Sequence, residues 1–365
     1  MKISAAVVRE KSQPFTIEEL ELDAPRADEV LVRIVAVGIC HTDLIARDQH
    51  YPMPLPAVLG HEGAGIVEQV GANVTKVQPG DHVVLSYNFC ASCQNCTAGS
   101  YAYCSNLLAY NLGGVRPDGS PTLRQDGGVV HGLFFGQSSF ASHALANQRN
   151  VIKVPQDAPL ELLGPLGCGL QTGAGAVINA LRPRAGSSIA VFGTGAVGLA
   201  AIMAARAVGC TTIIGVDIKP HRLELARELG ATHTVNSAEQ DAVAEIQRIT
   251  GDGAQYSLEC TSLPRVFRQA VDCLRLTGVC GLLGAAPLGT EVSFDMNTIL
   301  FGRTVRGIIE GDSVPDLFIP QLVALYQQGR FPIDRLVKFY PLDQINQAAA
   351  DSERGDVIKP VLRIG

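Results

Sequence analysis

The sequence predicts an α/β protein of two domains: a β-rich domain that carries a cysteine-dense lobe, and a doubly wound parallel sheet flanked by helices. Three observations predict this fold class. Up to about residue 165 the chain consists of short β-branched runs broken by Gly, Pro and Asp, which is typical of strands and turns. Beyond it, strand-like runs alternate with helical segments, as a parallel sheet requires. Four cysteines crowd residues 90–104, which indicates a small metal-binding lobe.

The chain has 365 residues, more than one hydrophobic core usually holds, because single cores stop growing at roughly 250–300 residues. We expect a first domain at 1–165 with the metal lobe at 88–106. A parallel-sheet domain is expected at 166–305, and residues 306–365 are expected to return to the first domain.

In the first domain, strands are predicted at residues 5–8, 29–40, 64–70 and 81–86. We expect a turn at Pro79–Gly80 to join the last two. Residues 110–139 lack periodicity and are rich in Gly, Ser and Pro, so they predict a long irregular loop around the metal lobe.

In the second domain the elements follow the order strand, glycine turn, helix, strand, and the alternation then continues. Strands are predicted at 187–192, 211–218, 232–236, 256–260, 279–285 and 304–309, and helices at 197–209, 221–231 and 242–251. This alternation predicts a doubly wound parallel sheet.

Composition and charge argue against several classes of partner and location. The formal net charge is −6 and no basic patch stands out, which argues against nucleic acid or an anionic membrane surface. The N-terminus has no apolar signal core, and no stretch reaches the ~20 apolar residues of a membrane span. Ten cysteines in a chain of this length do not indicate a disulfide scaffold, so a reducing cytoplasm is the expected location.

Gly193, Gly195 and Gly198 form the pattern G-x-G-x-x-G between an apolar strand and a helix. In this context the first glycine permits a tight turn, the second lets the backbone approach a pyrophosphate, and the third allows close helix packing. The helix N-terminus would then bind the phosphate charge. The alternative is a glycine-rich turn in an α/β protein of another kind.

Asp217 ends the next predicted strand, nineteen residues beyond Gly198. A carboxylate at this point accepts hydrogen bonds from ribose hydroxyls and repels a 2′-phosphate, so it favours NAD over NADP. Lys219 and Arg222 lie nearby and are able to admit a 2′-phosphate, but we expect Asp217 to outweigh them. The alternative is an ordinary capping Asp.

Cys90, Cys93, Cys96 and Cys104 follow the pattern C-x2-C-x2-C-x7-C, whose thiolates can wrap one ion and complete a tetrahedron. Such a saturated site holds structure and has no position for substrate. An iron–sulfur cluster has overlapping ligand spacing, and uncoordinated buried cysteines are a further alternative. A structural zinc is preferred, because a four-thiolate site with no redox partner elsewhere suits zinc.

Cys40, His61 and Cys168 form a second, scattered set. Two thiolates and one imidazole leave the fourth position of a zinc ion open, as catalytic zinc sites do. Each residue alone is more often part of a core, because a buried cysteine behaves as a small hydrophobe. Glycine-rich neighbourhoods, and the strand and glycine turn that follow Cys168, favour the metal site. The remaining cysteines are interpreted as core residues: Cys210, Cys260, Cys273 and Cys280.

Several segments of the chain together carry a family resemblance. They are GICHTD, GHEGAGIVEQVG, VQPGDHVV, the four-cysteine lobe, LGCGLQTGAGA, GTGAVG and the C-terminal KPVLRIG. In these segments the chain resembles the zinc-dependent medium-chain alcohol dehydrogenases. RDQHYPMPLP, FFGQSSFASHAL, LELLGPLGCG and FIPQLVALYQQGRFP are most similar to the bacterial aryl (benzyl) alcohol dehydrogenases. The resemblance implies a GroES-like catalytic domain, a Rossmann domain that binds NAD, two zinc ions per chain, and an active site in the cleft between the domains.

For the scattered set, the resemblance implies that Cys40, His61 and Cys168 hold the catalytic zinc. Glu62 would be a nearby carboxylate able to approach the metal during ligand exchange. Asp43 would hydrogen-bond His61 and fix its tautomer.

For the reaction, the resemblance implies that Thr42 receives the proton of the alcohol. His41 and Lys359 would meet the pyrophosphate of the coenzyme, while Thr172 and Val197 would pack behind the nicotinamide ring.

One position departs from the family. Many relatives carry a histidine three positions beyond the proton-accepting Ser or Thr, and it passes the proton onward. That position is Ile45 here, which cannot carry a proton. The route by which the proton leaves is therefore an open question.

The activity that the resemblance implies is reversible, NAD-dependent oxidation of a primary aromatic alcohol of the benzyl alcohol type to its aldehyde. Leu and Phe residues from the 85–140 region are expected to line an apolar slot for the ring. The alternatives are an S-hydroxymethylglutathione (formaldehyde) dehydrogenase, a broad primary alcohol dehydrogenase and, outside enzymes, a zinc-binding interaction module. Relatives assemble through the coenzyme domain, so a homo-oligomer is expected, a tetramer or a dimer, with the tetramer favoured.

Overall fold

The computed structural model describes residues 1–364, which form two compact units. The first unit combines Met1–Cys168 and Val314–Gln327 with the residues from Ile333 onward. The second combines Gly169–Ser313 and Gln328–Pro332. The predicted fold class, a β-rich domain together with a doubly wound parallel sheet, is confirmed.

The strands, numbered in chain order, are β1 Lys2–Val8, β2 Thr16–Leu22, β3 Glu29–Gly38, β4 Ala57–Val58, β5 Glu62–Val70, β6 His82–Leu85, β7 Leu123–Gln125, β8 Gly128–Val130, β9 His143–Asn147, β10 Val151–Lys153, β11 Ser188–Phe192, β12 Thr212–Asp217, β13 His233–Asn236, β14 Ala254–Glu259, β15 Leu274–Leu282, β16 Thr304–Gly307, β17 Val337–Pro341 and β18 Lys359–Arg363. The helices are α1 His41–Arg47, α2 Gln94–Thr97, α3 Leu107–Leu112, α4 Leu160–Leu163, α5 Gly169–Gly175, α6 Ala196–Ala207, α7 Pro220–Leu229, α8 Ala242–Thr250, α9 Pro264–Asp272, α10 Met296–Leu300, α11 Pro315–Gln327 and α12 Ile345–Arg354.

The first unit contains two sheets. One has the strand order β4-β1-β2-β7-β8, and the other has the order β10-β6-β5-β3-β18-β17 with β9 paired to β3. Apolar side chains from both sheets form one core, since Val, Ile, Leu and Ala recur along β1, β3 and β5. The C-terminal β18 pairs antiparallel with β3, so Leu362 lies opposite Val37. This pairing brings the end of the chain to the strand that leads into α1.

The segment 110–139 differs from the irregular loop that the sequence predicts. Its first residues complete α3, and β7 and β8 form a hairpin that extends the first sheet through β2. Asp126 and Gly127 form the two-residue turn with φ angles of 50° and 80°, which is the primed geometry that suits a hairpin. The Asp-Gly pair between apolar residues was the signal for this hairpin. The turn predicted at Pro79–Gly80 is confirmed, with Gly80 at a φ of 90°.

The second unit is a six-stranded sheet in which every pair of neighbouring strands is parallel. Its order is β13-β12-β11-β14-β15-β16, the order of a Rossmann fold. All the strands and helices predicted in this region are present, and the structure adds α5, α9 and α10, which were not predicted from the sequence. In such sheets ligands bind at the carboxyl ends of the strands, where the order reverses between β11 and β14.

Within residues 1–364, no helix is long and apolar enough to cross a membrane.

Candidate active site and metal centres

The scattered set predicted from the sequence is brought together in the first unit. The ligand atoms of Cys40, His61, Glu62 and Cys168 all lie within 4.8 Å of one another. Cys40 follows β3 at the N-cap position of α1, and His61 directly precedes β5. Cys168 follows a short 3₁₀ turn and directly precedes α5. Three loops at strand and helix ends therefore form one buried cluster, which provides two thiols, one imidazole and one carboxyl group.

Asp43 holds two members of this cluster in place. Its Oδ1 accepts a hydrogen bond from His61 Nδ1 at 2.8 Å and another from the Gly60 backbone at 3.1 Å. Its Oδ2 accepts a hydrogen bond from the Cys40 backbone at 2.8 Å. Asp43 is completely buried, so no water competes for these bonds. The arrangement fixes the imidazole with its proton on Nδ1 and its Nε2 as the available donor atom.

The cluster fits a zinc ion on two observations. His61 Nε2 is buried without a hydrogen-bond partner among residues 1–364, and a buried polar nitrogen is costly unless something binds it. The pKa of the Cys40 thiol lies well below its ordinary value, because a hydrogen bond from Cys168 and then His61 and Lys359 outweigh the effect of burial. Zinc binds a thiolate and an imidazole whose Nε2 carries no proton. Burial lowers the pKa of His61 but Asp43 and Cys40 raise it more, so zinc binding at this site would release a proton.

Glu62 and Lys359 form a buried ion pair beside the cluster. The Lys359 Nζ lies 2.9 and 3.0 Å from the two Glu62 oxygens and donates to the Ile39 carbonyl at 3.2 Å. Burial raises the pKa of Glu62 to about 7, although Lys359 opposes it. Burial lowers the pKa of Lys359, but the charges of Glu62 and Cys40 raise it more. The structure thus places the ammonium group against Glu62, and its role at a pyrophosphate stays a prediction.

Glycine at position 38 makes room for this carboxylate. A Cβ there would lie 2.0 Å from Glu62 Oε2, far inside contact distance. No other residue fits at the end of β3 while Glu62 keeps this position.

Thr42 and Phe135 lie against the ligands of the cluster. The Thr42 hydroxyl is 3.7 Å from Cys40 Sγ, and the Phe135 ring stacks on the His61 imidazole with centroids 4.4 Å apart. Phe135 has a φ of 51°, a conformation that only surrounding contacts maintain in a non-glycine residue. Ile45 is buried on α1 and offers no group for proton transfer. The sequence analysis expected Leu and Phe in this region but did not single out Phe135.

The four-cysteine lobe forms a second cluster, with the four sulfurs within 4.8 Å of one another. Backbone amides donate to the sulfurs: Cys93 to Cys90 at 3.3 Å, Ser105 to Cys93 at 3.4 Å, and both Cys90 and Asn106 to Cys104 at 3.3 and 3.4 Å. Backbone hydrogen bonds lower the pKa of Cys90 to about 5 and that of Cys93 to about 7. Burial raises the pKa of Cys96 to about 12 and also raises that of Cys104, so these two thiols would lose their protons only on binding a cation. Such amides stabilise thiolates, so the lobe is compatible with a structural zinc site.

Glycine is favoured at each of the three positions in the turn after β11 for a different structural reason. Gly193 has a φ of 88°, in the left-handed region. A Cβ on Gly195 would have no atom within 4 Å, so this position is open to a ligand. A Cβ on Gly198 would lie 1.9 Å from the Gly193 carbonyl oxygen, so the third glycine is needed for packing. This geometry leaves room for a ligand at the turn, and the role of the three glycines at a pyrophosphate stays a prediction.

Asp217 is the last residue of β12, and its side chain hydrogen-bonds the glycine turn that follows the neighbouring strand β11. Its Oδ2 accepts hydrogen bonds from the Thr194 amide at 2.8 Å and the Thr194 hydroxyl at 2.9 Å. Its Oδ1 accepts from the Ile218 and Lys219 amides at 2.8 and 3.0 Å. Thr194, the middle residue of G-T-G, was not singled out from the sequence, although a hydroxyl at the centre of a turn is a signal for such a bond.

Comparison with known proteins decides the family. Residues 26–156 match the alcohol dehydrogenase GroES-like domain, and residues 196–327 match the zinc-binding dehydrogenase family. The chain is 47% identical over 361 residues to geraniol dehydrogenase of Castellaniella defragrans, covering 98% of this chain and 96% of that protein. This chain belongs to the zinc-type medium-chain alcohol dehydrogenases.

Solved structures of this dehydrogenase family are similar over the whole chain. An alcohol dehydrogenase zinc-binding domain protein from Burkholderia ambifaria is 61% identical with a TM-score of 0.99, covering 100% of this chain and 99% of that chain. Benzyl alcohol dehydrogenase from Acinetobacter calcoaceticus is 52% identical with a TM-score of 0.97 and full coverage of both chains. Membership implies zinc and a nicotinamide dinucleotide as cofactors, and the residues described above fit both.

Proposed function

We propose that this alcohol dehydrogenase oxidises primary aromatic alcohols of the benzyl alcohol type to aldehydes, reversibly and with NAD. Full-length similarity to a benzyl alcohol dehydrogenase structure, at 52% identity, carries the proposal. The Phe135 ring supports it, because it lies against the ligand His61 and offers an aromatic wall to a substrate ring.

In this proposal the chain's own residues bind, orient and take up a proton. Cys40, His61 and Cys168 would hold a zinc ion that would supply Lewis acidity, and bound NAD would supply the hydride acceptor; overall, alcohol and NAD⁺ give aldehyde, NADH and one proton. The Thr42 Oγ1 accepts the hydroxyl proton of the alcohol. Asp43 keeps the His61 ring in the orientation needed for binding.

The proton exit differs from that of relatives with a histidine at position 45. Ile45 is buried and cannot accept the proton from Thr42. We propose that Thr42 Oγ1 passes the proton on towards water, and a ribose hydroxyl of the bound coenzyme would be able to relay it. Replacing Ile45 with His should then speed the proton step, which a solvent isotope effect on the turnover rate measures.

NAD is the proposed coenzyme in preference to NADP. The Asp217 carboxylate lies at the end of β12 and would repel a 2′-phosphate. Lys219 is the nearest residue that would favour NADP. Parallel titrations with NADH and NADPH test the preference, and tighter binding of NADPH would contradict it.

Two zinc ions per chain are proposed, one in each cysteine-containing cluster. The site that includes His61 would be catalytic, and the four-cysteine lobe would be structural. Metal analysis of the purified protein should give about two zinc atoms per chain. One zinc per chain would contradict the proposal.

A homo-oligomer in the cytoplasm is proposed as the working form, with the tetramer favoured. The outermost strand of the six-stranded sheet, β16, supports assembly because all its residues are exposed. Apolar Leu300 and Phe301 before it, and Val305 within it, are also exposed. An exposed sheet edge with apolar neighbours is a surface that a second copy can cover.

The terpene alcohol geraniol is the alternative substrate, because the chain is 47% identical to a geraniol dehydrogenase. S-hydroxymethylglutathione is less favoured, since its charged ends need polar groups at the pocket mouth that the sequence does not obviously supply. NADH formation should be followed with benzyl alcohol, geraniol, short aliphatic alcohols and S-hydroxymethylglutathione. The aryl proposal requires the highest kcat/KM for benzyl alcohol, and a large preference for any other class would overturn it.

A further inference from the structure

The loop of residues 308–313, which follows β16, has an unusual backbone. Glu310, Gly311 and Asp312 have φ angles of 50°, 65° and 50°, so three consecutive residues adopt the left-handed conformation. Residues other than glycine adopt it rarely, and it persists only where surrounding contacts hold it. Because β16 is a parallel strand of a Rossmann-type sheet, the 308–313 loop lies at the carboxyl end of the sheet, where ligands bind.

Three buried side chains hold this loop to α5. Gln171 Nε2 donates to Glu310 Oε2 at 3.0 Å, and the Ser313 hydroxyl lies 2.9 Å from Gln171 Oε1. The same hydroxyl lies 2.7 Å from the Glu310 carbonyl oxygen. All three residues are buried. Both polar groups of the Gln171 amide are therefore held: its NH₂ donates to the Glu310 carboxylate, and its oxygen accepts from the Ser313 hydroxyl.

Further contacts tie the loop to the helical segment that continues from α5 through residue 181. Asn179 Nδ2 donates to the Gly311 carbonyl oxygen at 3.2 Å. The Arg306 guanidinium donates to the Ala180 carbonyl oxygen at 3.3 Å and forms an ion pair with Asp312. Side chains of this helical segment therefore reach the loop at Glu310, Gly311 and Ser313.

The residues expected at the nicotinamide ring lie in this helical segment or next to it, since Thr172 belongs to α5 itself. A Cβ on Gly311 would lie 3.1 Å from the carbonyl oxygen of Thr172. A Cβ on Gly173 would lie 2.0 Å from the carbonyl oxygen of Val197, in the first turn of α6. Thr172 and Val197 are the two residues expected to pack behind the nicotinamide. The 308–313 loop therefore lies beside the nicotinamide end of the expected coenzyme site.

We propose that Gln171, Glu310 and Ser313 are positioning residues that hold the 308–313 loop against the nicotinamide half of the coenzyme. The proposal rests on the proposed coenzyme-dependent function. Their buried hydrogen bonds compensate for the left-handed backbone, so that the loop is preorganised before the coenzyme arrives. The glycine turn after β11 would then determine affinity for the ADP-ribose half, and the network on α5 would determine affinity for the nicotinamide half.

The test compares NADH with ADP-ribose, which lacks the nicotinamide, on the full-length protein. Gln171→Met keeps the length of the side chain and removes the hydrogen bonds with Glu310 and Ser313. We expect it to weaken NADH binding about tenfold and ADP-ribose binding less than about twofold. Ser313→Ala should act in the same direction, by about threefold. Glu310→Gln keeps an oxygen for the Gln171 amide to bind, so it should weaken NADH binding less than Glu310→Ala does.

Ser257→Ala is the matched control, because the Ser257 hydroxyl is also buried in the second unit and donates to the Ala270 carbonyl at 2.6 Å. It should lower the thermal midpoint without changing the ratio of the two dissociation constants. Unchanged NADH binding in Gln171→Met, or equal weakening of both ligands, overturns the proposal. If Gln171→Met does not fold, the ratio of the NADH and ADP-ribose dissociation constants is measured on Ser313→Ala, and an unchanged ratio there overturns the proposal. An unmodified protein that binds neither ligand overturns the proposed function itself.

Discussion

Asp43 is not among the candidate metal ligands, yet its carboxylate holds the imidazole of His61, the amide of Cys40 and the amide of Gly60. Hydrogen bonds of this kind fix ring orientation and tautomer before a metal arrives. The sequence places Asp43 only three residues after Cys40 and eighteen before His61. The family resemblance implied that Asp43 hydrogen-bonds and orients His61. The register of β3 with β5 determines whether the two side chains can meet.

Asp43→Ala should lower the zinc affinity of the scattered site by about 10–100-fold, because the His61 ring loses its orienting bond. Competition with a chelator measures this affinity. Asp48→Ala is the matched control at the end of α1, since Asp48 pairs with Arg47 at the surface. Equal zinc affinity in the two variants would contradict the role of Asp43.

Cys168→Ala removes one of two thiolates at the scattered site. We expect a protein with about one zinc per chain, no turnover and unchanged NADH binding, because three ligands are needed to hold a catalytic zinc. Metal analysis and NADH fluorescence on the same sample give both readouts. Retained dehydrogenase activity would contradict the assignment of Cys168 as a zinc ligand.

At the scale of elements, β18 matters because it carries Lys359 to Glu62. The pairing of β18 with β3 brings together two groups 297 positions apart in the sequence. The sequence analysis expected Lys359 at a pyrophosphate, and a pairing across such a separation cannot be predicted from local spacing. The hairpin β7–β8 was missed for a different reason, since its Asp126–Gly127 turn is a local signal that was not used.

Lys359→Met should destabilise the first unit by about 3–5 kcal/mol, because it leaves the Glu62 carboxylate buried without its cation. Chemical denaturation measures the free energy of unfolding. The double variant Lys359→Met with Glu62→Gln should recover part of this loss. A variant that binds NADH weakly but keeps its full stability would show that Lys359 acts only at the coenzyme.

Gly195→Ala and Gly198→Ala separate ligand approach from packing within one turn. At Gly195 a Cβ meets no atom of the protein, so Gly195→Ala should keep the thermal midpoint and lose NADH affinity. At Gly198 the Cβ would overlap the Gly193 carbonyl, so that variant should lose both. Thermal unfolding and NADH fluorescence distinguish the two outcomes. Full NADH affinity in Gly195→Ala would mean that no coenzyme approaches the turn.

At the scale of the whole molecule, each unit has its own sheets, and the second exposes the edge of its sheet at β16. An exposed sheet edge can pair with another chain. The apolar side chains around β16 are too exposed to stabilise an isolated chain, and covering them by a second copy would bury them.

Val305→Lys should break an assembly built on β16, because a charge at the strand edge opposes pairing. Light scattering should then show a smaller particle with unchanged zinc content. Leu108→Lys is the matched control, since Leu108 is an exposed apolar residue of the first unit. An unchanged particle size in Val305→Lys would place the interface elsewhere.

The sequence alone determined the features that depend on local spacing. Four cysteines within fifteen residues, a glycine pattern between strand and helix, and an acidic strand end each predict a binding site over a few turns of chain. The tertiary structure alone decided which distant groups meet. Cys40, His61 and Cys168 converge, Lys359 joins Glu62, and Gln171 holds the 308–313 loop. The physical reason is that these contacts depend on strand register and helix packing between remote segments, which no local pattern encodes.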